Sequence, residues 1–195
     1  MARERIDDAY SVKSKLYGTG VNLCDAVCLD LGCGKNESPI SRKVLEIPFA
    51  TLVSVDAWGE SINNLHAKRA IGEIAAGNWI SYTEDMTTLI KRLPRNGYDM
   101  ALMIDSLEHL EKAAAIEFLK DVDALNPRRV AVWLPLGTCP QGALGGNPYE
   151  VHKSSWTVSE LSELGFNVHV FSGFHKHFNP PVDAAWCWKN VRGKI

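Results

Sequence analysis

The chain has 195 residues, 46% hydrophobic and 23% charged, which suits one globular domain and excludes a disordered, collagenous or coiled-coil protein. A formal net charge of −2 argues against the basic surface that sequence-independent nucleic-acid binding requires. The basic pairs Arg42-Lys43, Lys91-Arg92 and Arg128-Arg129 are expected on solvated helix faces or at strand entrances. Cys24, Cys28, Cys33, Cys139 and Cys187 are scattered and show no C-x-x-C spacing, which points to reduced thiols in the cytoplasm. The first three read as small core residues in and around a buried strand. No apolar run approaches the roughly 20 residues of a membrane-spanning helix. The charged opening, Met-Ala-Arg-Glu-Arg-Ile-Asp-Asp, is unlike a signal peptide.

Strands and helices alternate along the chain. The apolar run 26–31, interrupted only by Asp30, predicts a buried strand entering the turn Gly32-Cys33-Gly34. A helix over 39–46 follows, capped by Ser38 with Pro39 at its first position. A second strand covers 52–55 and ends at Asp56; a helix over 61–75 follows, closed by Gly77. A weak third strand, 79–82, leads through Asp85 to a helix over 86–93 that Pro94 stops. A strong fourth strand, 98–104, ends at Asp105, and a helix spans 110–125. The fifth strand, 129–134, is nearly all apolar, as a central parallel strand should be. Residues 135–149 are dense in proline and glycine and read as a long functional loop. Thr157 and Glu160 form a capping box for a helix ending at Gly165. Strands over 166–171 and 183–190 complete the chain, joined by a turn containing Asn179-Pro180-Pro181. The pattern predicts one domain over 1–195: an α/β, Rossmann-like, seven-stranded, mostly parallel sheet with helices on both faces and an antiparallel last strand.

The stretch from Leu29 to Ser38 carries the chemistry. Gly32 and Gly34 permit close backbone approach to a ligand at the end of a strand. The dinucleotide fingerprint G-x-G-x-x-G has Glu37 where its third glycine belongs, and a carboxylate there would repel a pyrophosphate. Asp56 ends the second strand at the distance where a carboxylate accepts hydrogen bonds from ribose hydroxyls. Asp30, a carboxylate within an apolar strand, needs a partner if buried.

With these residues the chain resembles the class I S-adenosylmethionine-dependent methyltransferases, in particular the small single-domain members, from Val27 to about Trp188. The matching pieces are Leu29-Asp30-Leu31-Gly32-Cys33-Gly34, Val53-Ser54-Val55-Asp56, Asp85-Met86, Asp105-Ser106-Leu107-Glu108-His109 and Leu161-Ser162-Glu163-Leu164-Gly165-Phe166. The resemblance implies that Asp30 and the turn Gly32, Cys33 and Gly34 hold the methionine part of S-adenosyl-L-methionine. Asp56 with Ala57 would meet the ribose, Asp85 with Met86 the adenine, and Asp105 the methyl-transfer face. Asn36 stands where the family often has a third glycine.

His109 is the expected general base, with Asp105 beside it, and His152 is second. His175 and His177 lack a third ligand at metal-binding spacing, so no metal site is expected. The Asn179-Pro180-Pro181 run lies between the last two strands, away from where adenine and glutamine amino-methyltransferases carry theirs, and reads as a turn. Thr138-Cys139 follows the fifth strand, yet its surroundings do not match the RNA cytosine methyltransferases. The acceptor is expected to be a small molecule rather than nucleic acid, with no membrane partner and a homodimer as the assembly to test. The competing readings are a non-catalytic or partner-dependent scaffold of the same fold and, less favoured because of Glu37, a dehydrogenase.

Overall fold

The computed structural model describes residues 22–192, and the charged opening of the chain lies outside them. Seven strands form one sheet: β1 (Val27–Leu31), β2 (Thr51–Asp56), β3 (Asn78–Thr83), β4 (Met100–Ile104), β5 (Arg129–Pro135), β6 (Asn167–His175) and β7 (Val182–Asn190). Their order is β3-β2-β1-β4-β5-β7-β6. Neighbours among β1 to β5 pair in parallel, and β7 runs antiparallel to both β5 and β6. This is the sheet the sequence predicts, including its antiparallel last strand.

Among the described residues five α-helices cover it: α1 (Ser41–Leu45), α2 (Gly59–Ala70), α3 (Met86–Leu89), α4 (Lys112–Ala124) and α5 (Val158–Glu163). Strand alternation divides the core into two layers. Leu29, Leu31, Ala101 and Met103 pack against Phe118, Leu119 and Val122 of α4 and Leu161 of α5. Cys28, Met100, Leu102 and Ile104 face the other way, toward Val44 and Leu45 of α1 and Ile62 and Leu65 of α2. The central strands are buried on both faces, which is why they read as apolar runs. β3 reads weakly because it is an edge strand with most side chains at least partly exposed.

Several boundaries differ from expectation. The first helix is only α1, and residues 39–40 form a turn; Ser38 Oγ accepts from the Ser41 amide at 3.1 Å, ahead of the helix start. α2 stops at Ala70, because the Arg69 guanidinium folds residues 74–77 back by donating to the carbonyls of Ile74, Ala76 and Gly77. The helix over 86–93 divides into α3 and a 3-10 turn at Ile90–Arg92. The capping box forms as expected, with Glu160 accepting from the Thr157 amide at 2.8 Å. Cys24 is exposed, a correction to its reading as a core residue, whereas Cys28 and Cys33 are buried; all five thiols are free.

The order of connections reverses between β1 and β4, and open α/β sheets bind ligands at the carboxyl ends of strands flanking such a point. There the β1 turn is squeezed. Gly32 takes φ +70°, and a Cβ on it would lie 2.6 Å from Ser106 Cβ. A Gly32→Ala substitution combines a left-handed conformation with a steric clash, and should destabilise the fold by about 2–4 kcal/mol. Urea unfolding of this variant beside wild type measures the loss; an unchanged midpoint would contradict the squeezed turn.

Candidate functional site

A cavity of about 600 Å³ opens at this strand edge, and its lining joins the β1 turn, the ends of β2 and β4, and the long loop after β5. Gly32, Cys33, Gly34, Asp56, Ala57, Asp85, Met86, Asp105 and His109 all line it. Asp30 alone of the expected site residues does not: it lies beneath the turn, 1% exposed.

The turn is held by β2. The Val55 carbonyl accepts from the amides of Gly32 and Cys33, both at 2.9 Å. Asp56 accepts from the Gly34 amide at 2.8 Å through Oδ2 and from the Trp58 amide at 2.8 Å through Oδ1. These amides are therefore spent within the protein, and the glycines serve close approach rather than direct donation to a ligand. Asn36 takes φ +51°, a left-handed conformation that asparagine tolerates better than most residues. It thus supplies the backbone geometry of the missing glycine and adds an amide. That amide makes no hydrogen bond, nor does Asp30 Oδ2, although both are buried. Unpaired buried polar atoms beside a cavity mark where a ligand's polar groups fit.

Asp85 caps α3, its Oδ1 accepting from the Thr87 amide at 2.8 Å, and still borders the cavity. Asp105 takes φ +49°, a strained conformation, and its carboxylate accepts from Ser38 Oγ at 3.4 Å. His109 faces two carbonyls, with Nε2 3.0 Å from Asp105 O and Nδ1 3.3 Å from Val151 O. A neutral imidazole carries one N–H, so only one of these contacts is a hydrogen bond. Burial holds the His109 pKa below its ordinary value.

Sequence reasoning singled out neither Glu108 nor its pairing with His152. The Glu108 carbonyl accepts from the amides of Lys153 at 2.9 Å and Ser154 at 3.0 Å, which pins the end of the long loop to the turn after β4. His152 donates from Nδ1 to the Cys139 carbonyl, leaving Nε2 3.9 Å from Glu108 Oε1. The His109 and His152 rings stand edge-to-face, 4.9 Å between centroids. Glu108 is 1% exposed, and neither carboxylate oxygen has a hydrogen-bond partner. Among the described residues, Glu108, His109 and His152 form a group able to offer ligand atoms to a metal. Cys139 borders the cavity, but burial raises its pKa, so it is a poor thiolate nucleophile.

No family model matches the sequence, and no curated protein matches it. Among solved structures, the small RNA methyltransferase HEN1 is similar over 99% of this chain, with TM-score 0.63 and 17% identity. The chain spans only 26% of that protein's length. The magnesium protoporphyrin IX methyltransferase ChlM of Synechocystis PCC 6803, with bound SAH, matches 94% of the chain at TM-score 0.65 and 17% identity, over 83% of its own length. The methyltransferase domain of a bacterial Hen1 matches 92% at TM-score 0.59 and 19% identity, over 96% of its own length.

A titration follows from Asp30. Burial raises its pKa to about 7, the nearby charge of Asp56 adds to the rise, and the Asn36 amide, close but outside hydrogen-bonding geometry, offsets part of it. The unfolded value is near 4, so between the two the native state holds the extra proton. Stability from this group is complete below the unfolded value and is lost as pH rises through about 7. Asp30→Asn removes that loss, so from pH 4.5 to pH 8 the variant should gain roughly 2–4 kcal/mol relative to wild type. Denaturant midpoints at the two pH values report it, and an equal difference at both would refute the assignment. With its seven-stranded order, its antiparallel β7 and its pocket at the β1–β4 divide, the chain has the class I methyltransferase fold.

Proposed function

We propose that the protein is an S-adenosyl-L-methionine-dependent methyltransferase with an acceptor that is a small molecule. The observation that carries this reading is the unpaired Asp30 and Asn36 pair behind the glycine turn, together with Asp56 at the end of β2. A ligand with an ammonium, ribose hydroxyls and a sulfonium supplies the positive charge and donors these groups lack. A pyrophosphate ligand would instead meet Asp56, Asp85 and Glu37 at the same rim.

Bound S-adenosylmethionine supplies a methyl group already activated by its sulfonium. The protein's part is alignment and exclusion of water. Asp30 and Asn36 would hold the methionine end beneath and beside the turn. Asp56, next to Ala57, would accept from the ribose, Met86 would pack on the adenine, and Asp85 would accept from its amino group. Asp105 and His109 border the acceptor end of the cavity, and both would lie beside the acceptor's reacting atom. Support for a small acceptor comes from the size of the cavity, about 600 Å³, and from the formal charge of −2. The scaffold reading gains nothing from a site that keeps its pocket and its unpaired carboxylate.

Calorimetric titration with S-adenosylhomocysteine, with NAD as control, tests the reading: saturable binding of the first alone supports it, and no binding of the first removes it. Asp56→Ala should weaken that binding at least tenfold, the loss expected for hydrogen bonds to a charged group worth about 1.5–3 kcal/mol. Unchanged affinity in a folded variant would displace the ribose from Asp56.

A further inference from the structure

We propose that Glu108, His109 and His152 form a binding site for a divalent first-row transition-metal ion at the acceptor end of the cavity. The site stands on its own geometry and goes beyond the cofactor reading. Each side chain offers one ligand atom, and the three atoms lie within 4.8 Å of one another. Metal bonds near 2.1 Å in tetrahedral geometry require separations of about 3.4 Å, so small side-chain rotations complete the set.

Two further observations point to a cation. Glu108 is a fully buried carboxylate whose two oxygens have no hydrogen-bond partner, an expensive arrangement unless something positive completes it. Lys153 and Ser154 bond only its backbone carbonyl, through their amides and the Ser154 hydroxyl, leaving the carboxylate unanswered. Second, His152 is already oriented as a ligand. Its Nδ1–H is fixed on the Cys139 carbonyl, which sets the tautomer and leaves the Nε2 lone pair turned to Glu108. Metal-binding histidines are held by second partners of this kind.

The fold also builds the site deliberately from two segments. Glu108 and His109 sit on the 3-10 turn Leu107–His109 after β4, and the backbone clamp of Lys153 and Ser154 onto Glu108 delivers His152. One carboxylate and two imidazoles suit zinc, manganese or cobalt better than calcium or magnesium, which favour all-oxygen cages. Three protein ligands leave coordination positions open, and all three residues line the cavity, so those positions face the space an acceptor would occupy.

The test uses the whole purified protein, stripped with a chelator and titrated separately with Mn²⁺, Co²⁺ and Zn²⁺. We expect one ion per chain and, for Co²⁺, visible absorption bands of a nitrogen- and oxygen-ligated site. Glu108→Gln keeps the buried shape and removes the charge; His152→Ala removes a ligand from the loop side. Each should weaken metal binding at least tenfold while circular dichroism shows a folded chain. Absence of saturable binding and of Co²⁺ bands in wild type overturns the proposal, as does unchanged affinity in both folded variants. S-adenosylhomocysteine binding, measured on the same wild-type sample, separates the two readings: if wild type fails to bind one of the two and binds the other, the failure counts against that reading alone.

Discussion

The end of β2 grips the turn after β1, and the pocket depends on that grip. One carbonyl, that of Val55, accepts two successive amides, and one carboxylate, that of Asp56, accepts a third. From the other side Ser106, itself anchored by donating to the Leu31 carbonyl at 2.9 Å, leaves Gly32 no room for a side chain. The turn is thus fixed between the loops of β2 and β4, the strands on either side of β1. The cavity is the space these three loops cannot fill, because their helices diverge to opposite faces of the sheet.

Burial then gives the pocket a common electrical character. It raises the pKa values of Asp30, Asp56, Asp105 and Glu108, and in each case it is the largest cause. Asp56 offsets part of the cost with two backbone amides, whereas Glu108 offsets little. Three carboxyl groups lining the cavity, Asp56, Asp105 and Glu108, and Asp30 beneath the turn share a demand for positive charge or hydrogen-bond donors. Lys68 does not meet it: its ammonium donates to the carbonyls of Lys35 and Asn36 instead. The proposed cationic cofactor at one end and the proposed metal ion at the other would be two independent answers to the same deficit.

The sequence made the central sheet legible because burial on both faces forces β1, β4 and β5 into uninterrupted apolar runs. Strand-end carboxylates were legible for a related reason, since an acidic residue closing an apolar run marks where the strand leaves the core, and Asp56 and Asp85 there accept from backbone amides. Helix limits were less visible. α1 is too short to show a periodicity, and the end of α2 is decided by Arg69 reaching carbonyls that no local pattern announces. The Glu108–His152 pairing was hidden for a stronger reason. The long loop joins them through proline and glycine turns whose path is set by tertiary bonds, such as the Gln141 side chain donating to the Glu150 carbonyl at 2.8 Å and the His152 amide donating to Gln141 O at 3.1 Å. Spacing along the chain carries no trace of such contacts.

Asn36 shows how a departure from pattern can preserve what the pattern was for. A glycine at that position would serve by adopting a positive φ, and asparagine reaches φ +51° with its amide turned inward. The exchange has an electrostatic consequence. Glycine would leave the Asp30 carboxylate buried with no polar side chain beside it, whereas the Asn36 amide lowers the cost of its ionised form. Asp30 and Asn36 therefore act as one unit: the carboxylate is tolerable in the core because the amide is near. The amide in turn keeps both its polar atoms unpaired at the cavity wall, where the proposed cofactor would meet them.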